Sequence, residues 1–458
     1  MRFGVNYTPA EGWFHSWLDF SPSAVARDLE QIADLGVDHV RVFPLWPLVQ
    51  PNRTLIRASA LDDVATVVDI AASFGLDVNV DALQGHLSSF DFVPSWLESW
   101  HRRNVFTDPD VVASTADYVQ ALSAALAGRP NLLGVTLGNE LNQFAHAPHP
   151  TPHAVTDREA GDWLTTMVAA ARRGLGPPVP DAVPAPGLPS GVGREARRTA
   201  APSVTVAQYD AAWYDDAQPF GPEHAADHGD MTVTHSWVFN GAARVHGPLG
   251  AGSVRHGEYL LQLAAAWNRT AERPNWLQEV GAPTNVVPVD DAPAFLEGTI
   301  RHAVEVQQLF GITWWCSHDV ARSLADFPEL EYDLGLFTND GRRKPTGERF
   351  AELARAFGDG AGAALERLAP PTDALVLDDV LPDGRRAPDV RATAAPGGRF
   401  SLAWVALAES LGRGPQVVLR SRAGDSGLLA ERGIRTLHDV PADTRAVHTA
   451  VAHPATMP

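Results

Sequence analysis

Short β-branched or apolar runs alternate with longer segments of helical period from the first residue to about residue 357, and the pair recurs eight times. That rhythm implies parallel strands joined by helical crossovers. Strands are expected at Arg2 to Tyr7, Asp38 to Phe43, Leu76 to Ala82, Leu132 to Gly138, Ser203 to Tyr209, Met231 to Ser236, Asn275 to Glu279 and Gly311 to Cys316. Helices are expected near Pro22 to Leu35, Asp62 to Phe74, Pro109 to Ala127, Asp157 to Arg173, Val254 to Ala271, Asp291 to Leu309 and Pro345 to Phe357, and the weakest helical signal follows strand five. Ser21-Pro22 and Asp108-Pro109 each set a capping side chain before a proline whose missing amide hydrogen is harmless at a helix start. Eight strand-helix units match an α/β fold, the closed (β/α)8 TIM barrel, for which about 250 residues is usual, so roughly a hundred residues belong to enlarged loops.

The loops differ in content. Those after strands one, three, four, six and eight are long, and the set carries Trp13, Trp17, Trp96, Trp100 and Trp237. In this fold such loops build the catalytic face. The Pro/Gly-rich stretch from Gly174 to Gly193 follows a helix instead, which puts it on the opposite face as a flexible insertion without chemistry. Past residue 366 the alternation resumes on a smaller scale, with strand-like Ala374 to Val380, Gln416 to Arg420 and Ile434 to Leu437 separated by helical Phe400 to Ser410 and Leu428 to Arg432. We therefore expect a barrel over residues 1–362 and a small non-catalytic C-terminal α/β domain over 363–458. That domain has no Gly-rich phosphate loop and no metal-ligand set, which leaves homo-oligomer formation or shielding of the barrel mouth as its expected roles.

Composition narrows the partners. With 55 acidic against 36 basic side chains the net charge is −19, the wrong sign for a phosphate-backbone partner such as nucleic acid. The single cysteine, Cys316, forms no intramolecular disulfide and suits a reducing compartment, where it is expected buried in strand eight as a small apolar residue. Met1-Arg2 runs directly into Phe3-Gly4-Val5 without a leader pattern, and no run of about 20 apolar residues occurs, so a cytoplasmic protein without a membrane partner is expected. Thirteen tryptophans are the one excess, and their flat apolar faces are of the kind that stack on sugar rings.

The strongest local signal is Leu137-Gly138-Asn139-Glu140, which leaves an apolar strand with an amide and a carboxylate where barrel enzymes keep catalytic groups. A second carboxylate, Glu279, closes the apolar strand Asn275-Trp276-Leu277-Gln278 in seventh position. An isolated glutamate after a strand is ordinarily a loop or capping carboxylate, but two that end strands four and seven converge on one axis. Glycoside hydrolysis needs such a pair, and a separation of about 5 to 5.5 Å makes one the nucleophile and the other the acid/base. Alternation on strand eight should aim one of Trp314 and Trp315 inward and the other toward the helices, and Trp315 is the expected platform under the sugar. His146, His149 and His153 are spaced like metal ligands, yet the intervening prolines keep their rings off one helix face. A metal-dependent barrel hydrolase would need His and Asp clustered at several strand ends, and only isolated histidines occur; no metal and no cofactor is expected.

On these residues the chain resembles the retaining glycoside hydrolases of clan A, most closely family 5, over residues 1 to about 357. The likeness rests on Asn139-Glu140, on Glu279, on Arg41 in His39-Val40-Arg41-Val42-Phe43 and on Trp314-Trp315. It implies Glu140 as acid/base, Glu279 as nucleophile, Asn139 on the sugar 2-hydroxyl and Arg41 holding Glu279 ionised, with Glu140 carrying the raised pKa. It also makes His86, in Asp81-Ala82-Leu83-Gln84-Gly85-His86, a lining residue of the cleaved-sugar subsite. Strand six departs from the pattern: His235-Ser236-Trp237 stands where many members place His-x-Tyr, so His235 keeps a site role while Trp237 offers stacking in place of a hydroxyl.

An oligosaccharide short enough to be inside the cell is the expected substrate, which favours exo action, and tryptophan-bearing loops can wall the mouth into a pocket for one terminal sugar. The strand-six pattern and the extra C-terminal domain resemble the cytoplasmic exo-β-mannosidases of family 5 that act on mannosyl-β-1,4-N-acetylglucosamine. Endo-β-1,4-mannanase and β-glucosidase are the alternatives within the clan. A non-catalytic carbohydrate-binding barrel, the alternative of another class, would keep the tryptophans and lose a carboxylate, and both are present.

Overall fold

The computed structural model describes residues 1–177, 201–358 and 369–446. Eight parallel strands form one sheet: β1 (Arg2–Asn6), β2 (His39–Val42), β3 (Asp77–Leu83), β4 (Leu132–Gly138), β5 (Ser203–Thr205), β6 (Thr232–Ser236), β7 (Asn275–Val280) and β8 (Leu309–Trp314). Their hydrogen-bonded order is β5-β4-β3-β2-β1-β8-β7-β6. The first strand thus pairs with the last, Arg2 opposite Gly311 and Val5 opposite Trp314, and the sheet curls into a (β/α)8 barrel. The seam falls between the short β5 and β6, which share no ladder among the described residues. There the Asp230 amide donates to the Val204 carbonyl at 2.8 Å, and the Asp230 carboxylate accepts from the Val204 amide at 2.7 Å.

Eight helices follow the strands: α1 (Pro22–Ala33), α2 (Ala58–Ser73), α3 (Pro109–Leu126), α4 (Asp157–Leu175), α5 (Pro222–Asp227), α6 (His256–Trp267), α7 (Ala292–Ala303) and α8 (Pro345–Phe357). Ser21 accepts from the Ala24 amide and Asp108 from those of Asp110 and Val111, so the Ser-Pro and Asp-Pro pairs cap their helices as expected. The weak signal after strand five is the six-residue α5. Helix α7 stops at Ala303, short of the expected Leu309, because Leu309 already belongs to β8 and Gln308 before it turns at φ 55°.

Apolar strand residues such as Val78, Val80, Val135 and Leu137 pack with the helices in one large core. The residues between them meet inside the barrel, which is polar. Asn79 Nδ2 donates to Thr136 Oγ1 at 2.7 Å, Gln278 Nε2 donates to the same oxygen at 3.1 Å, and Thr136 and Thr205 share a hydroxyl bond of 2.8 Å. These cross-strand bonds help fix the register from which the site residues project.

Past the barrel, β9 (Asp373–Leu377), β10 (Gln416–Leu419) and β11 (Thr436–His438) form a parallel sheet in the order β10-β9-β11, with α9 (Arg399–Leu411) between the first two in sequence. This small sheet shares a core with α6 of the barrel: Tyr259, Leu263 and Trp267 pack with Leu375, Phe400, Trp404 and Leu419. The expected boundary between residues 362 and 363, the part of the Gly174 to Gly193 insertion past residue 177, and the C-terminal tail past residue 446 lie outside the described residues. No helix among the described residues is long and apolar enough to cross a membrane.

Candidate active site

A short chain of backbone events delivers Glu140. Strand β4 ends at Gly138, where a Cβ would meet the Leu83 carbonyl at 2.5 Å, so only glycine lets β3 and β4 stay this close. Glu140 then takes φ 50°, a left-handed conformation uncommon for a side chain with a Cβ and typical of strained functional positions. The 3-10 turn Leu141–Ala145 brings Gln143 back so that its Nε2 donates to Glu140 Oε2 at 2.6 Å. Glu279 sits within β7, opposite His235 on β6, where the register shifts past Leu277 in the pairing with both neighbouring strands.

These groups converge. One oxygen of Glu140, one of Glu279 and a ring nitrogen of His235 all lie within 4.8 Å of one another. The sequence showed only isolated histidines, whereas strand register places His235 between the two carboxylates, 2.7 Å from Glu140 Oε1 and 3.4 Å from Glu279 Oε2 through Nδ1. Arg41 Nη1 donates to Glu279 Oε1 at 2.6 Å, which puts the site's positive charge on a side chain. Arg41 Nη2 donates to Asn139 Oδ1 at 2.7 Å, and Arg41 also ion-pairs with Asp81. Asn139 Nδ2 donates to the His86 carbonyl at 2.7 Å, which leaves that amide one further N–H.

Of the expected residues, His86, Asn139, Glu140, Trp237, Glu279 and Trp315 line one pocket of about 450 Å³, open mouth included. Arg41 and His235 do not line it; both are fully buried beneath the glutamates and touch the pocket through them. Trp315 faces the pocket while Trp314 packs against Phe350 of α8, the division that alternation implied. Trp315 meets Trp237 edge to face at 6.4 Å, and Trp237 stacks on Phe239 at 5.3 Å. No tyrosine hydroxyl bonds Glu279 among the described residues, and the strand-six position is filled by this aromatic wall instead. The other tryptophans divide: Trp13 joins the aromatic cluster at the mouth, Trp17 stacks on Phe20, Trp96 packs edge-on to Trp46, and Trp100 is fully exposed. Loop length alone did not distinguish them.

The three spaced histidines do not share one partner, and His146 Nδ1 lies 3.8 Å from Asp215. His149 Nε2 lies 3.1 Å from Asp91, whose other oxygen lies 2.9 Å from His86 Nδ1, and His153 Nδ1 accepts from the Val105 amide. Asp91 therefore orients His86 toward the pocket. Asp81 and Glu331 had no assigned role in the sequence. Asp81 was visible as the charge in an apolar strand, in phase with Asn79; Glu331 sits in a loop turn with no periodic signal.

Burial sets the protonation states. It pushes the Glu140 carboxyl up to about 7, against the opposing effects of His86, Gln143 and Arg41. Glu279 is also raised by burial, and its His235 and Arg41 neighbours, which favour the carboxylate, offset that desolvation in part. Asp81, buried against Arg41, is raised to about 6. His235 is lowered to about 4 by burial and is neutral near pH 7. Gln278 Nε2 donates to Thr136 at 3.1 Å, so its Oε1, 3.4 Å from His235 Nε2, is placed to accept from an Nε2–H. That tautomer turns the Nδ1 lone pair toward Glu140 and favours a protonated Glu140.

No family model and no curated relative matches the chain. Solved structures do. The chain is similar to GH5_18 from Streptomyces cattleya, seen in complex with Manb1-4GlcNAc and with GlcNAc, at 49% identity, TM-score 0.86, and coverage of 96% of this chain and 98% of that one. It is similar to GH5_18 from Bifidobacterium longum subsp. longum at 41% identity, TM-score 0.86, and coverage of 97% and 98%. An exo-beta-1,4-mannosidase from Opitutaceae bacterium strain TAV5, at 23% identity, TM-score 0.73 and coverage of 96% and 72%, shares the fold. Nearly half its residues identical to a GH5_18 chain that it spans almost end to end, and two glutamates facing across a barrel mouth, this protein belongs to GH5_18 of glycoside hydrolase family 5.

Proposed function

We propose that the chain is a retaining exo-β-mannosidase that removes the terminal mannose of short intracellular oligosaccharides such as mannosyl-β-1,4-N-acetylglucosamine. The observation that carries this reading is the approach of the Glu140 and Glu279 carboxylates to within 4.8 Å in one pocket. That is nearer the about 5 to 5.5 Å of double displacement than the wider gap that admits a water between the two. Glu140 gives its proton to the glycosidic oxygen as Glu279 attacks the anomeric carbon, and the aglycone leaves as an alcohol. Glu140, now a carboxylate, takes a proton from water, which displaces Glu279 and returns the β configuration. Asn139 bonds the 2-hydroxyl through its remaining N–H, and Trp315 stacks beneath the ring. No cofactor takes part.

Exo action finds support at the mouth. The hairpin Gly85–Leu87 and Phe90–Phe92 after β3 meets the Glu329–Asp333 turn after β8 through a Ser88 to Glu331 bond of 2.9 Å. Beside that clasp, Trp13, Phe90 and Phe327 pack with ring centroids 4.8 to 5.5 Å apart. Such a wall closes one end of what would be an open cleft in an endo enzyme. The Manb1-4GlcNAc complexes of the similar GH5_18 enzymes support the choice of glycone and linkage.

The test is release from aryl β-mannoside, β-glucoside and β-galactoside, together with mannosyl-N-acetylglucosamine and mannan. The aryl mannoside and the disaccharide are expected to be preferred, with β-mannose as the first-formed sugar by proton NMR. Preference for the glucoside, or a rapid fall in mannan viscosity from internal cuts, would overturn the reading.

A pH profile tests the acid. A general acid raised to about 7 keeps its proton below that pH and loses it above, so kcat/KM should fall as pH rises through about 7. With an activated aryl glycoside, whose departure needs no proton, this basic limb should vanish in Glu140→Ala. A limb that persists there belongs to another group.

A further inference from the structure

Glu331 is a third carboxylate in the pocket, and the chemistry above does not use it. It lies in the turn Glu329–Asp333, where its neighbours Glu329 and Asp333 each bond Arg322 at 2.7 Å on the outer side. Glu331 faces inward and lines the pocket with Glu140 and Glu279. Its Oε2 accepts from Ser88 Oγ at 2.9 Å, and among the described residues no cation pairs with it. Ser88 and the next residue, Ser89, sit at φ 59° and 123°, so the hairpin turn holds two non-glycine residues in the left-handed region while it delivers that hydroxyl. Burial, with Glu279 and Glu140 adding to it, pushes the Glu331 carboxyl up to about 8. Near neutral pH the pocket therefore holds Glu331 mostly as the acid, and ligand hydroxyls that donate to it favour the carboxylate form.

We propose that Glu331 is the specificity-determining residue that binds hydroxyls of the terminal sugar remote from its anomeric carbon, and so restricts the enzyme to chain ends. This rests on the exo-glycosidase reading. With the anomeric carbon at Glu279 and the 2-hydroxyl at Asn139, the 3-, 4- and 6-hydroxyls are the donors left for Glu331. A free hydroxyl donates to the carboxylate. An internal sugar presents an ether oxygen at its linked position, which has no hydrogen to give and would leave Glu331 with Ser88 as its donor.

The experiment couples residue to substrate. Wild type and Glu331→Gln are compared on the aryl β-glycoside that wild type hydrolyses best and on its 3-, 4- and 6-deoxy analogues. Wild type should lose on the order of 10- to 100-fold in kcat/KM on at least one analogue, the worth of a hydrogen bond to a charged group. Glu331→Gln should lose a similar factor on the parent glycoside and little more on that analogue. Ser88→Ala, which keeps the carboxylate and removes its orienting hydroxyl, should lose a smaller factor with the same selectivity, and stands in if Glu331→Gln fails to fold. Equal losses on parent and analogues in every variant, or an unchanged Glu331→Gln, would overturn the assignment. Release of internal fragments from mannan by wild type would instead sink the exo reading, a separate outcome from the coupling.

Discussion

Glu279→Ala is expected to abolish turnover of every glycoside, while Glu140→Ala should still cleave those with good leaving groups and recover its second step when azide is added. The difference follows from the two environments. Glu279, bonded by Arg41 Nη1 at 2.6 Å, would form the covalent bond to the sugar, and no other carboxylate shares that position. Its loss should lower kcat roughly 10⁴-fold or more, as removal of a nucleophile does elsewhere. Glu140 would move protons, a task worth roughly 10²- to 10⁴-fold that vanishes when the leaving group departs unaided. Azide, a small anion that needs no deprotonation, can enter the space the side chain vacates and attack the glycosyl-enzyme. Turnover of aryl and alkyl glycosides by both variants, with and without azide, decides the matter. Equal loss on all substrates and no rescue in either variant would exchange or dissolve the roles.

Much of this site was legible because barrel geometry converts strand ordinal into position. Asn139-Glu140 and Glu279 end apolar strands, which places both on one face of the barrel. Alternation implied that Trp314, which ends β8, and Trp315 after it face opposite ways. What escaped was set by tertiary contact. His235 was placed by its strand, yet nothing local says that register sets it 2.7 Å from Glu140, under the pocket and not in it. The balance at Glu279 also escaped, because desolvation depends on everything packed around the carboxylate, and here it outweighs the Arg41 charge. Glu331 and Ser88 were invisible: a loop carboxylate and a turn serine carry no period, and only loop closure brings them together.

The C-terminal sheet was read as an assembly element or a cover for the mouth, yet none of its described residues lines the pocket. Its contacts point to a brace. Trp404 of α9 is fully buried in the core shared with α6, and its Nε1 donates to the Pro415 carbonyl at 2.9 Å. Next to it the Gly414 amide donates to Glu258 of α6 at 3.1 Å, where a Cβ would meet that carboxylate at 2.2 Å. Arg391 Nη1 donates to the carbonyls of Asp215 and Gln218 at 2.8 and 2.9 Å, in the loop that begins at the pocket residue Tyr209. A chain ending near residue 362 would expose Tyr259, Leu263 and Trp267, at about 1.5 to 3 kcal/mol for each large apolar side chain, and is expected to melt well below the intact protein or to aggregate. Trp404→Ala should lose about 3 to 5 kcal/mol by denaturant titration with the glutamates still in place. Arg391→Ala separates brace from core: freeing the Tyr209 loop should raise KM more than it lowers the midpoint. A truncated monomer with unchanged melting and unchanged KM would show that the barrel holds its pocket alone.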